Sequence, residues 1–560
     1  MELVTRLTGW LKIMGLILLL ISWLRPSGLS AGEVLAYYDS ASTSLEPEVN
    51  DKNIPRQKIF GEQPAAKLNV SRNLDFLNLA AIDDEDRDQA QLEKPRTEAA
   101  AKSKEEGKFS IKWPQNGPMP LYLSARDEKD TAKNEAGLTW GGVLLLDHRL
   151  LAKAPQNFSF KEYRLELKAE AKTEKTKFFS TLWVRSLGFT SVKSSADLFV
   201  REKTTPFEAQ IREAYVDLYG FLFPWLDLRV GRQRIAWGTA DRVNPTDNLN
   251  PDDLEDIWDF GRHLGSDALK ATCYLSNFTL TGVFIPNFTP ASPPLPEWAE
   301  AFLPALAIPG LKIGQLRNEI ILPANNLKSS SLAGLKIASN FRGYDFSLSY
   351  VRGRDDLPLL RDVIVENISG DTADVLARLV YPRMNILGLD MAGALAGVGL
   401  WAEAAVFFPE RVVGEYVFPV PNLGVIRQRN VALRNQAYSK FVLGADYTFP
   451  SGIYLNGQFA HGFLHERGAS ELSDYFLVNV EWRLFHDKLK LIPLAGCLAI
   501  SEWRQWPDQM TLIWMPSFEY LPAPNAAIAA GLRVITGRGD NSFGRLKDRD
   551  EFFWRFKYSF

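Results

Sequence analysis

The sequence predicts an all-β chain, a transmembrane antiparallel β-barrel of about 18 strands preceded by a signal peptide and a polar arm. Three features predict it: an aromatic last strand, an export-type first segment, and connections that alternate short and long in step with strand parity. From Glu551 to Phe560, residues Phe552, Trp554, Phe556, Tyr558 and Phe560 share one face, and Phe553, Arg555, Lys557 and Ser559 share the other. The aromatic face cannot stay in water, and two cations cannot enter a dry core. Lipid outside and water inside satisfies both, which places Arg555 and Lys557 in the lumen.

At the other end, Arg6 and Lys12 precede the apolar run Ile13–Leu24, and Gly28, Ser30 and Ala31 offer a cleavage site. The run, about 12 residues, is short of the roughly 20 that a spanning helix needs, so residues 1–31 read as a signal peptide rather than an uncleaved anchor. No cysteine follows for a lipid anchor. Residues 32–135 read as a polar periplasmic arm, whose run Asp83–Lys108 is too charged to bury a core; it is either simply solvated, or plugs the barrel or docks a periplasmic or export-complex partner. Residues 136–560 are the expected barrel.

Composition excludes other classes. Beyond Leu24 no apolar stretch approaches 18 residues, which rules out a helical membrane protein. A formal net charge of −3 leaves no basic excess for nucleic acid. Cys273 and Cys497 sit in apolar strand-like contexts and read as buried or lipid-facing thiols, with pairing as the alternative.

Alternation and turn residues place strands near 136–146, 159–171, 177–190, 207–219, 225–237, 267–275, 277–285, 331–339 and 343–353. Further strands fall near 378–391, 397–408, 436–448, 452–462, 473–485, 488–500, 508–518, 525–536 and 551–560, with room for one strand or two in 372–391. Short connections such as Ser276-Asn277, Pro450-Ser451-Gly452 and Pro524-Asn525 alternate with long ones at 238–266, 286–330, 354–377, 409–435 and 537–550. A soluble sandwich has no reason to keep that parity, whereas outer-membrane barrels have periplasmic turns and external loops.

Alternation also assigns faces. In 453–460, Tyr454, Asn456 and Gln458 point to the lumen; near Phe485, Asn479, Glu481 and Arg483 do so. The densest pattern is the hairpin 208–237, whose inward set is Glu213, Tyr215, Asp217, Asp227, Arg229 and Gln233. Strict alternation would put Arg232 and Arg234 in lipid, at a cost of roughly 2–4 kcal/mol at mid-depth. Either a bulge at Gly231 turns both inward, making Arg232 pore-lining, or both sit at the external interface.

The next loop, 238–265, concentrates Asp241, Asp247, Asp252, Asp253, Glu255, Asp256 and Asp259 between turns set by Asn244-Pro245 and Asn250-Pro251. Charged runs are usually solvated, which favours a surface loop that collects divalent ions from lipopolysaccharide. The alternative is a constriction loop whose carboxylates face wall arginines. Leu295–Leu306 is apolar enough to fold into the mouth as a lid or to meet a partner.

No catalytic residues emerge. His148, His263, His461, His465 and His486 are scattered, no metal set is spaced for ligation, and no cofactor motif occurs. The stretch Ile211–Leu218, the run GRQRIAWGTAD, the motifs NPTD and NPDD, Glu319–Gly353 and Tyr381–Gly393 together resemble an uncharacterised family of proteobacterial outer-membrane barrels known only as a domain of unknown function. More distantly, strand number and charged lumen are similar to porins and the alginate export channel. The last strand resembles the C-terminal signature of such barrels, which makes Phe556, Tyr558 and Phe560 the expected signal to the barrel-assembly machinery. These resemblances imply an outer-membrane location among lipid and lipopolysaccharide. The expected function is passive passage of small polar or charged solutes; the alternatives are a dedicated export conduit and a soluble exported β protein.

Overall fold

The computed structural model describes residues 137–560, apart from Ala154, Phe260, 296–297, 299–307, 309–310, 421–423, 464–465 and Asp540. The expected signal peptide and arm, and most of 295–306, lie outside the described residues. The first strands are β1 (Gly137–Leu151), β2 (Phe158–Lys172), β3 (Thr176–Leu187), β4 (Glu208–Leu218), β5 (Leu226–Gln233), β6 (Ser266–Leu275), β7 (Phe278–Ile285) and β8 (Lys312–Ile321). Then come β9 (Leu332–Phe341), β10 (Tyr344–Arg354), β11 (Leu359–Ser369), β12 (Thr372–Val380), β13 (Arg383–Leu395), β14 (Val398–Pro409), β15 (Val412–Val420) and β16 (Gly424–Leu433). The last are β17 (Tyr438–Thr448), β18 (Ile453–His461), β19 (Asp474–Leu484), β20 (Leu489–Ile500), β21 (Met510–Trp514), β22 (Ser517–Ala523), β23 (Ala526–Gly537) and β24 (Glu551–Ser559).

Nineteen of these form one antiparallel sheet that closes on itself. β21 and β22 both lie between β20 and β23 and are two stretches of a single wall strand, interrupted at Pro516, which has no N–H to give the ladder. Counted once, they leave a closed barrel of 18 strands, the number expected. Closure is made by β24 on β1, from Val143 opposite Ser559 to Leu151 opposite Glu551, and the Gly142 N–H donates to the Phe560 carbonyl at 2.9 Å. A closed sheet has no edge, which is the condition for strands surrounded by hydrocarbon.

Outward side chains form the apolar band that closure requires. Leu348, Leu389, Leu443, Phe476 and Leu532, from strands all around the wall, are exposed, with Leu389 56% accessible. A continuous band of such residues cannot face water and is the lipid-contacting surface of the barrel. Phe552, Trp554, Tyr558 and Phe560 belong to it, as the alternation of the last strand predicts. Cys273 takes an outward position in β6, Cys497 is buried on the inner wall, and both are free.

One architectural feature escapes the sequence. β8, β11, β12, β15 and β16, drawn from three long connections, make a second five-stranded sheet at the long-loop end. The segments 354–377 and 409–435, expected only as long connections, supply β11, part of β12, and β15 and β16. Two of its pairings, β11 with β15 and β12 with β8, are parallel and join different loops, so no turn signal announces them. The segment 372–391, left open between one strand and two, holds β12 and most of β13.

The seam is tightest at Gly142, where a Cβ would lie 2.2 Å from the Glu166 carbonyl oxygen and 2.7 Å from the Phe560 ring. Gly142→Val is therefore expected to press on the β2 backbone at Glu166 and displace the Phe560 ring, costing on the order of 1–3 kcal/mol. Gel mobility of unheated against heated protein reads this directly, the variant losing the compact folded band.

Candidate functional site

The loop between β5 and β6 does not sit on the surface. Asn250 cinches its base: its side chain accepts the Ile235 N–H at 2.7 Å and donates to the carbonyls of Gln233 and Leu264, both at 3.0 Å. Beyond that neck the chain runs across the lumen, burying Val243, Leu249, Leu254, Ile257 and Trp258 almost completely. The expectation of a solvated surface loop is thereby corrected. A charged run stays in water only if no complementary wall is within reach, and here the wall supplies one.

That wall is basic where the loop is acidic. Arg149 of β1 meets Asp256 with Nη1 2.5 Å from Oδ1, while its other nitrogens hold Asp147. Arg185 of β3 reaches Glu255 at 2.6 Å, and Arg212 of β4 reaches Asp253 at 2.8 Å. Arg262, from the loop itself, adds a 2.9 Å bond to Asp253. Trp183 organises the cluster, with the guanidinium carbons of Arg164 and Arg212 4.0 and 4.1 Å from its ring centroid. Arginine suits this role because it stays ionised, presents a fork to carboxylates and stacks on rings.

Two other kinds of contact complete the circuit. Glu403 of β14 accepts the backbone N–H groups of Thr239, Ala240 and Thr246 at 2.9, 3.1 and 2.7 Å. Gly238 makes that approach possible: its φ is +98°, and a Cβ would lie 2.5 Å from the Glu403 carboxylate. Asn456 of β18 donates to the Asp241 carboxylate at 3.1 Å. Between these polar anchors, Leu254, Ile257 and Trp258 pack on Val442, Ala460, Tyr475, Cys497, Ala499, Ile513 and Ile535 of the inner wall. Trp298 enters the same cluster, edge-on to Trp258 at 5.9 Å, so part of the β7–β8 connection is folded inward as well.

The hairpin residues lie as alternation predicts, with one correction. Glu213, Tyr215, Asp217 and Gln233 are buried on the inward side. Asp217 takes the Arg229 guanidinium at 2.6 Å, Arg229 stacks 4.0 Å from the Tyr215 ring, and Asp227 accepts the Gly220 N–H at 2.9 Å. Glu481 pairs with Arg483 at 2.7 Å, Arg555 with Asp147 at 2.6 Å, and Lys557 is half-buried beside them on β24. Arg232 is not pore-lining: it points outward at the long-loop end and pairs with Asp267 at 2.9 Å. The register through Gly231 is continuous, so no bulge turns it inward. Arg234, just past the strand, does turn in and forks onto Asp247. The displaced residue is instead Arg212, at a register break in β4 that brings Arg212 and Glu213 both inside.

Arg149, Arg185, Arg212 and Glu403 went unrecognised from sequence. Arg149, Arg185 and Glu403 are charges at inward strand positions, a signal open to alternation, whereas Arg212 turns in only through the register break in β4; which of them face the loop depends on how far the chain between Gln233 and Ser266 reaches.

Within the loop, burial pushes the Asp256 carboxyl up, but the Arg149 guanidinium outweighs it and holds the group well below the ordinary range. Asp253 is likewise depressed, burial being outweighed by Arg262 and Arg212. Such groups contribute stability above their unfolded pKa of about 4 and lose it only as pH falls through the lower folded value. Burial pushes the Glu255 and Asp252 carboxyls of the same loop up, so they add stability as pH falls, and loop amides, followed by hydrogen exchange corrected for intrinsic rates, are expected to be at least as protected at about pH 5 as at neutrality. Arg149→Ala should expose them and cost about 3–5 kcal/mol by stranding Asp256, while Arg149→Met with Asp256→Leu recovers most of that loss.

No family model matches the chain and no curated protein sequence does. Among solved structures, a loop L8 deletion form of OmpT, an outer membrane protein of Vibrio cholerae, is 10% identical, with 76% of this chain and 99% of that one covered at a TM-score of 0.34. OmpF of Salmonella typhi in complex with daunomycin gives 10% identity, 76% and 98% coverage and a TM-score of 0.34. Superpositions this loose carry no weight for function, which must rest on the wall and the loop.

Proposed function

We propose that the chain is an outer-membrane channel for small polar or charged solutes, moving passively down their gradient, with the loop 234–265 as the restriction in its path. The single observation that supports it is the union of a charged inner wall, which holds water, with a loop drawn across the lumen by that wall's own charges. In this reading the long-loop end faces the exterior and lipopolysaccharide, the short turns and the residues before β1 face the periplasm, and the terminal aromatic residues guide assembly. The resemblance to an uncharacterised family of outer-membrane barrels agrees with that location and names no solute.

A second reading, a dedicated export conduit closed at rest, draws on one feature: the loop meets β1, β3, β4, β14 and β17–β21 at once. Planar-bilayer recording of the purified chain separates the two. The channel reading predicts small, steady unitary currents that rise several-fold when 238–262 is replaced by a short Gly-Ser linker. Silence until the loop is removed favours the conduit, and equal currents with and without the loop contradict its role as the restriction.

A further inference from the structure

The loop leaves one sizeable recess against the wall. It offers about 70 Å³ of free volume to water-sized molecules and is partly open to solvent, room for a small ligand. It lies at the long-loop mouth, because its wall residues come from the starts of β6, β9, β13 and β17 and the ends of β7, β10 and β14. Its apolar surface is built from Leu249 of the loop and from Met384, Ile386, Phe407 and Tyr438 of the wall, the last two stacked with centroids 5.1 Å apart.

The polar rim is unequally satisfied. Asp247 has Arg234 at 3.1 Å, and Asp355 has Arg467 at 2.7 Å. Lys440 spends a hydrogen of its ammonium on the Phe463 carbonyl at 2.6 Å. Asp356 accepts the Asp252 N–H at 2.6 Å, and among the described residues no cation forms an ion pair with it. Its neighbour Asp355 is a carboxylate already held by Arg467, and burial beside Asp356 pushes the Asp252 carboxyl well above the ordinary range.

We propose that this recess binds a small amphiphilic organic cation, its ammonium group on Asp356 and its apolar or aromatic body among Leu249, Ile386, Phe407 and Tyr438. The proposal rests on the channel reading for its purpose, as an outer docking point for a solute about to pass the loop, but the site is defined by its own geometry. An anion would meet the Asp356 carboxylate head-on, and a neutral polyol would leave that carboxylate without a cation in a half-apolar cleft. A cation with an apolar body satisfies both surfaces at once. Burial and Asp355 push the Asp356 carboxyl up to about 7, so the free site is only partly ionised at neutrality and gains its full charge as pH rises. Asp355 adds to the rise and Arg467 and the Asp252 N–H oppose it, while Asp247, Asp252, Arg354 and Lys440 are other titratable groups lining the recess.

Titration calorimetry of the full chain in detergent, with phenethylammonium chloride as probe and 2-phenylethanol and phenylacetate as controls, tests the site. Expected is saturable one-to-one binding of the ammonium compound, about tenfold or more tighter than either control. It should tighten between about pH 6 and about pH 8, as a raised carboxyl ionises, and weaken about tenfold in Asp356→Asn, which keeps the acceptor for the Asp252 N–H. No binding, preference for either control, or unchanged affinity in Asp356→Asn in a variant that keeps its folded gel mobility would overturn it. Bilayer recordings keep the two readings apart: a conducting barrel that ignores phenethylammonium retains the channel and loses the site, and a silent barrel that binds it does the reverse.

Discussion

A carboxylate taken out of water must find a cation or give up its charge, and this rule governs the interior of the barrel. Asp253 and Asp256 are buried inside a lumen wide enough to hold water, a position tenable only because Arg212, Arg262 and Arg149 are already there. The wall arginines are under the same obligation, since an unpaired guanidinium on a half-desolvated strand is no cheaper. Loop and wall therefore settle each other: neither set of charges is comfortable without the other, and the backbone between Gln233 and Ser266 is drawn inward as a consequence.

The remaining contacts build on that anchorage. Once Asp253, Glu255 and Asp256 are fixed on β1, β3 and β4, the intervening apolar residues Leu254, Ile257 and Trp258 pack on the rest of the wall from β17 round to β23, where the inward positions include Val442, Ala460, Ile513 and Ile535. The inner surface is thus divided by height. At the level of the loop it is apolar on one side and basic on the other; towards the short turns it returns to mixed charge, with Asp217, Arg229, Glu481, Arg483 and Arg555.

Much of this was legible before any coordinates. Period-2 alternation fixes which residue of a strand faces lipid, so Tyr215, Asp217, Glu481, Arg555 and the aromatic stripe of β24 fall where expected. Turn residues and connection parity give the strand number because a closed antiparallel wall leaves little freedom between neighbours. What was hidden depends on pairing between segments distant in sequence. The loop strands pair in parallel across different connections, β8 with β12 and β11 with β15, and Arg232 and Arg234 differ in fate only because one precedes the end of β5 and the other follows it. The acidic loop itself reads the same whether solvated or buried; composition records its charge and says nothing of the arginines that await it.

Cys497 offers the most direct measurement of whether the loop occupies the lumen. It is 1% exposed, on the inner wall, beneath the residues of the loop's apolar contact. In a Cys273→Ser background, a water-soluble thiol reagent is expected to leave Cys497 unmodified in the intact chain and to react readily once 238–262 is replaced by a short linker. Equally rapid modification with the loop in place would show that the lumen is open at that level and that the buried ion pairs do not hold it there.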